Sequence, residues 1–238
     1  MSIAENIARV RTQIGDAARR SGRNPDQIEL MAVTKTVPLE RIREAYQSGI
    51  RLFGENRVQE FEGKRSALTK LTETCWNMIG HLQTNKAARA AELFYSVESV
   101  DSLRLAHKLN SAALELGKTL PILIEVNIGA EPAKSGVTPG SDELESLLRA
   151  APDLPHLHLE GLMTVPPYSD DPERSRLFFR TIRELASSIQ RRGLPEVDMS
   201  VLSMGMSHDF EIAIEEGATR VRIGSALFGE RINPRSKA

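Results

Sequence analysis

Apolar residues in this chain recur in two rhythms that take turns along its length. Ile3, Ile7, Val10 and Ile14 fall at helical spacing behind Ser2 and Glu5, a capping-box pattern, and predict an N-terminal helix. Residues 28–36 follow as a short apolar and β-branched run with Pro38 at its exit, the pattern of a buried strand. Next come a helix over LERIREAYQSG closed by Gly49, a strand over RLFGEN, a charged helix over 57–71 and a strand over WNMIGH. An Ala-rich helix over 84–92 leads to a strand over LFYSVE. Leu103, Ala106, Leu109, Ala113 and Leu116 share one face of a helix over 101–116 that Gly117 stops. PILIEVNI is the clearest buried strand. The polar segment GAEPAKSGVTPGS after it is longer than a connection needs, as loops that carry function often are. A helix over 141–150, strand LEGLMTV, a long helix from Asp171-Pro172 to Gly193, strand DMSVLSM, helix DFEIAIEEG and strand RVRIGS complete the series.

Apolar strands joined by helices imply a parallel sheet covered on both faces. Eight such units in 238 residues suit an α/β fold of the (β/α)₈ TIM-barrel type, one domain over residues 1–238. An open doubly wound sheet stays the alternative, because counting strands does not show closure.

Composition narrows the functions. Hydrophobic residues make up 40% and charged residues 26%, the balance of a globular protein with a full core. A formal net charge of -1 provides no basic field to recruit nucleic acid or an anionic membrane. The single cysteine, Cys75, excludes an internal disulfide and a cysteine-based zinc site. The start MSIAENIARV lacks a basic segment followed by an apolar one, and no apolar stretch approaches the ~18 residues of a membrane span, so a cytoplasmic protein is expected.

In a barrel, function gathers at the C-terminal ends of the strands. Those ends carry Lys35, Gly54-Glu55-Asn56, Gly80-His81, Asn127, Met163-Thr164, Ser203 to Ser207, and Arg222 with Gly224 and Ser225. Ser203, Gly205 and Ser207 are expected after strand seven and just before a helix, and Gly224 and Ser225 before a short extra helix. Exposed amides and hydroxyls at a helix start attract anions, and barrels often bind phosphate after strands seven and eight. Each loop taken alone reads better as ordinary turn glycines with Ser207 as a cap, and only the two together, after the last two strands of a barrel, favour phosphate. Lys35, in the apolar run LMAVTKTVP, could simply extend its ammonium to solvent. Beside a phosphate pocket, an apolar wall would instead lower its pKa and make it a nucleophilic amine. A ligand with an aldehyde and a phosphate, pyridoxal 5′-phosphate (PLP), would use both features. His156 and His158 alternate but lack a third ligand, so no metal site is expected. His81 could line the pocket or make a structural hydrogen bond, His107 reads as exposed, and His208 lies beside the proposed phosphate loop, with solvent exposure its plainer reading.

The stretches AVTKTVP, FGENRVQE, MIGHLQTNK, SVESVDS, AKSGV, EGLMT and SMGMSHDFEIAIEEGATRVRIGSALFG, in this order over nearly the whole chain, resemble the pyridoxal phosphate homeostasis protein family. The resemblance implies a single barrel similar to the N-terminal domain of alanine racemase. It makes Lys35 the lysine that joins the cofactor as a Schiff base, and Asn56 a polar neighbour of the ring. Ser203, Gly224 and Ser225, with the backbone of the Met206-Ser207 turn, become the phosphate cradle, and Arg222 the arginine facing the pyridine nitrogen. Asn77 stands where the family often has histidine, and Ser225 keeps the hydroxyl of a common threonine.

The function implied is binding, buffering and delivery of PLP to apoenzymes, without robust catalysis. An arginine at the ring nitrogen supports carbanion chemistry weakly, and no counterpart of the racemase's second domain is expected, which also points to a monomer. Two alternatives differ in class: a small racemase-like PLP enzyme with Lys35 as base and His81 as acid, and a sugar-phosphate aldolase with Lys35 as its Schiff-base lysine.

Overall fold

A computed structural model describes residues 1–229. The strands are β1 (Glu29–Val33), β2 (Leu52–Glu55), β3 (Cys75–Met78), β4 (Ser96–Val100), β5 (Leu120–Val126), β6 (Leu157–Thr164), β7 (Val197–Met206) and β8 (Arg220–Ile223). The helices are α1 (Ile3–Arg20), α2 (Leu39–Gln47), α3 (Val58–Leu68), α4 (Ala87–Leu93), α5 (Leu103–Glu115), α6 (Asp142–Ala150), α7 (Ser175–Arg191), α8 (Phe210–Glu215) and α9 (Ser225–Phe228). All strand pairs are parallel, and β1 pairs with β8 from Glu29↔Arg220 to Ala32↔Ile223, so the sheet closes into a barrel. That pairing settles the architecture as a (β/α)₈ barrel and removes the open sheet.

Local chemistry explains the frame. Ser2 Oγ accepts from the Glu5 amide while Glu5 Oε2 accepts from the Ser2 amide, a full capping box that starts α1. Its buried face (Ile3, Ile7, Val10, Ile14) packs against α2, α8 and α9. Asn6 and Arg9 on α1 donate to the carbonyls of Leu227 and Ala226, at 2.9 and 3.0 Å, and so anchor α9. Outside β2 and β3, Phe53 stacks on Trp76 with ring centroids 4.6 Å apart, and Phe61 and Phe94 continue the aromatic layer.

Boundaries shift where apolar residues serve helices instead of strands. Leu93 closes α4, so β4 begins at Ser96 and runs to Val100. The long helix predicted from Asp171 begins as a 3₁₀ turn (Pro172–Arg174), capped by the Asp171 carboxylate, before α7 starts at Ser175. The polar segment after β5 folds back on that strand. Val137 donates to Glu125 O and accepts from the Asn127 amide, giving a parallel bridge between Val126 and Val137.

Candidate functional site

The C-terminal ends of β7, β8, β1 and β2 are neighbours in the closed sheet, and most of the residues singled out by sequence lie there. β1 stops at Val33, two residues short of Lys35, so Lys35 stands on a turn at the barrel mouth and is half-buried. The turn is tied to β2 by the Thr34 amide on Gly54 O (3.0 Å) and the Thr34 hydroxyl on Glu55 Oε1 (2.7 Å).

Asn56 follows β2 directly. Its Oδ1 is buried and has no hydrogen-bond partner among the described residues. The end of β3 approaches it so closely that a Cβ on Gly80 would lie 2.3 Å from Asn56 O, which only glycine tolerates. Beyond Gly80, His81 Nδ1 sits 3.3 Å from Asp101 Oδ2 on the exposed rim.

Arg222 projects into the barrel and is buried. Its Nη1 donates to Ser203 O (2.6 Å) and Ser203 Oγ (2.8 Å), and its Nη2 to Thr164 O (2.7 Å). Burial pushes its pKa down, while the carboxylates of Glu98, Asp209 and Glu125 act the other way; a guanidinium remains charged throughout. Glu125 lies at the end of β5, accepts from the Ser135 hydroxyl at 3.0 Å, and is held above the usual carboxylate range by burial.

The turn between β7 and α8 meets the start of α9. Ser207 Oγ accepts from the amides of Gly224 and Ala226, both at 3.2 Å, so a hydroxyl sits among the first amides of that helix. Asp209 Oδ1 takes the Met206 amide at 2.8 Å and squares off the turn. Gly224 packs toward Val33, and Ser225 is exposed at the rim.

Lys35, Asn56, Met206, Ser207, Gly224 and Ser225 thus share the mouth, with Arg222 beneath them. Ser203 does not join the turn. β7 extends to Met206, so Ser203 lies inside the strand and fully buried, where its hydroxyl donates to Glu98 Oε2 at 2.6 Å. Gly205, with a φ of +90°, carries the strand past that point; a Cβ there would meet Ala213 Cβ at 2.5 Å. Asn77 is also interior, donating to Phe53 O and accepting from the Ser96 hydroxyl.

Glu98 was missed in the sequence, although a lone carboxylate inside the run SVESV is the same kind of signal as Lys35. Among the described residues no cluster of three or more His, Cys, Asp or Glu could hold a metal ion, and no helix is long and apolar enough to cross a membrane. His158 pairs with Glu160 and His208 with the carbonyl of Ser169.

The family model described as "Alanine racemase, N-terminal domain" matches residues 2–232. The pyridoxal phosphate homeostasis protein of Aquifex aeolicus (strain VF5) is 45% identical over 231 residues, covering 97% of this chain and 99% of that protein. That of Escherichia coli (strain K12) is 42% identical over 233 residues, covering 96% and 97%. The solved structure of PipY from Synechococcus elongatus PCC7942 with PLP bound superposes with a TM-score of 0.84 at 37% identity, covering 96% of this chain and all of that one. An alanine racemase of Clostridium difficile 630 shares the fold at a TM-score of 0.75 and 16% identity, over 98% of this chain and 58% of its own length. With its closed barrel and its cluster of lysine, buried arginine and serine-glycine turns, the chain belongs to the pyridoxal phosphate homeostasis protein family, built on the alanine racemase N-terminal domain.

Proposed function

We propose that this protein binds PLP through Lys35 and that it buffers and delivers the cofactor to apoenzymes, as a monomeric carrier without robust turnover of its own. The observation that carries the reading is Arg222. Its buried guanidinium is fixed from two sides by Ser203 and Thr164, and it pairs in register with Met31 on the strand that leads to Lys35.

The residues present suit the ligand. Asn56 Oδ1 is a buried acceptor without a partner among the described residues, ready to meet a polar ring substituent. Gly224 and Ser225, beside the Ser207 hydroxyl and the Met206-Ser207 turn, would receive the phosphate. Ser203 would act one step back, by holding Arg222. When bound, the cofactor supplies an aldehyde, to which Lys35 Nζ would join reversibly with loss of one water.

Arg222 keeps its proton and donates only, so it would leave a ring nitrogen facing it unprotonated, where an aspartate would hold a proton in place. A ring held that way is a poor electron sink, which favours retention of the cofactor over amino-acid chemistry.

Purified protein loaded with PLP should show a visible absorbance band that Lys35→Ala loses. In deuterated water it should not exchange the α-hydrogen of added amino acids faster than Lys35→Ala does. Rapid exchange that depends on Lys35 would favour a racemase-like enzyme and overturn the carrier reading.

A further inference from the structure

Both peptide groups that flank Lys35 are gripped by one face of α3. Lys64 Nζ donates to the Thr34 carbonyl at 2.9 Å, and Glu60 Oε1 accepts from the Thr36 amide at 2.5 Å. Glu60 and Lys64 are four residues apart on the helix and so lie on the same face, where they pair with each other at 2.6 Å. Lys64 also reaches Glu55 Oε1 at 3.0 Å, the atom that already accepts from the Thr34 hydroxyl. Only 14% of the Lys64 side chain is exposed, and none of Glu55. Ion pairs this desolvated are costly to build for stability alone.

The backbone they hold is strained. Thr36 has a φ of +60°, a left-handed conformation that β-branched residues rarely adopt and that persists only where the surroundings impose it. Strain of this kind gathers at functional sites. Here it lies one residue from the proposed attachment point.

We infer that Glu60 and Lys64 are positioning residues for Lys35: they clamp the turn 34–36 in its left-handed form and so fix the backbone from which the lysine meets its ligand. This rests on the assignment of Lys35 as the attachment residue. Glu60 sets the amide of Thr36, Lys64 sets the carbonyl of Thr34, and Glu55 below them ties the clamp to β2.

The test measures how fast Lys35 captures added PLP, by stopped-flow absorbance with borohydride trapping. Affinity for inorganic phosphate, read by competition, is measured alongside it. Glu60→Ala and Lys64→Met should slow capture about tenfold, the order expected for losing one hydrogen bond to a charged group, and leave phosphate affinity unchanged. Glu60→Gln keeps an acceptor for the Thr36 amide and should recover most of the rate. Thr36→Gly, which removes the steric penalty of a positive φ, should recover part of it in the Glu60→Ala background.

Wild-type capture rates in both variants would overturn the proposal, and so would an equal loss of capture and phosphate affinity, the mark of a general structural role. If Lys64→Met does not fold because Glu55 is left buried without its cation, Glu60→Ala and its two rescues carry the test, since the Glu60 side chain is 25% exposed. If the parent protein captures nothing at Lys35, the attachment assignment itself is overturned and this proposal falls with it. A slowed variant of a competent parent separates the two cases.

Discussion

Ser203 donates a 2.6 Å hydrogen bond to Glu98 across the interior of the barrel, and its oxygen accepts from Arg222 in turn. Glu98 spends its other oxygen on Arg220, also at 2.6 Å, and Arg220 continues to Glu29 at the start of β1. A continuous polar chain therefore runs up the barrel axis to the guanidinium under the mouth. Arg220 meets the buried Glu98 carboxylate directly, and Arg222 reaches it through Ser203.

Removing that carboxylate should be severe. Glu98→Ala leaves Arg220 with Glu29 alone and deprives Ser203 of its acceptor, and breaking a buried pair from one side costs about 3–5 kcal/mol. Ser203→Ala removes one donor and one acceptor but keeps Arg222 on the carbonyls of Ser203 and Thr164, and should cost about 1–3 kcal/mol. Urea unfolding at neutral pH measures both; equal small losses would show that the chain does not act as a network.

Ser207→Ala should act on the rim alone. It strips the shared acceptor from the amides of Gly224 and Ala226, at a cost of about 1–2 kcal/mol for two neutral hydrogen bonds. Loss of bound PLP on dialysis should accelerate, with the barrel's far-ultraviolet circular dichroism unchanged. Retention equal to the parent would remove Ser207 from the cradle.

Two glycines give opposite expectations. A Cβ at Gly80 would meet Asn56 O at 2.3 Å, so Gly80→Ala must push the ends of β2 and β3 apart and should destabilise by about 1–3 kcal/mol. Gly63 lies exposed in α3 with nothing within 4 Å of its Cβ position, and Gly63→Ala should stabilise by about 0.5–1 kcal/mol. Thermal melts decide the signs.

The clamp beneath Lys35 predicts two pH profiles of opposite slope. Burial holds Glu55 above the ordinary carboxylate value of 4.5, although Lys64 and Thr34 pull it down. A raised carboxylate contributes stability below that value and loses it as pH rises through the folded-state value. Glu60 is lowered: burial opposes, but the hydrogen bonds from Lys64 and the Thr36 amide prevail, so its contribution is present above 4.5 and lost as pH falls through the folded-state value. Measured by melting temperature between acid and neutral pH, the advantage of the parent over Glu60→Gln should grow with rising pH. Its advantage over Glu55→Gln should shrink. Parallel slopes would contradict the assignment.

The fold was legible because most strands carry apolar or β-branched residues between helices with clear stops such as Gly49 and Gly117. Closure was not: it depends on Glu29 to Ala32 pairing with Arg220 to Ile223, a contact across the whole chain that no local pattern encodes. The mouth was legible because lysine, asparagine, serine and glycine stand out at strand ends. The layer beneath was harder. Ser203 looked like a loop residue, but β7 continues past it through the positive φ of Gly205, and the register against β8 shifts between Ser203 and Met206. The clamp was illegible for another reason. Glu60 and Lys64 fall within 57–71, a segment that reads only as a charged helix, and only the turn after β1 folding against α3 makes them partners of Thr34 and Thr36.

The central claim is that Lys35 is the residue that holds the cofactor, and peptide mapping after borohydride reduction tests it most directly. Protein reconstituted with PLP, reduced and digested should yield one modified peptide with the label on Lys35, and Lys35→Ala treated alike should yield none at that level. Label spread over surface lysines, or a strong label in Lys35→Ala equal to the parent's, would contradict the account.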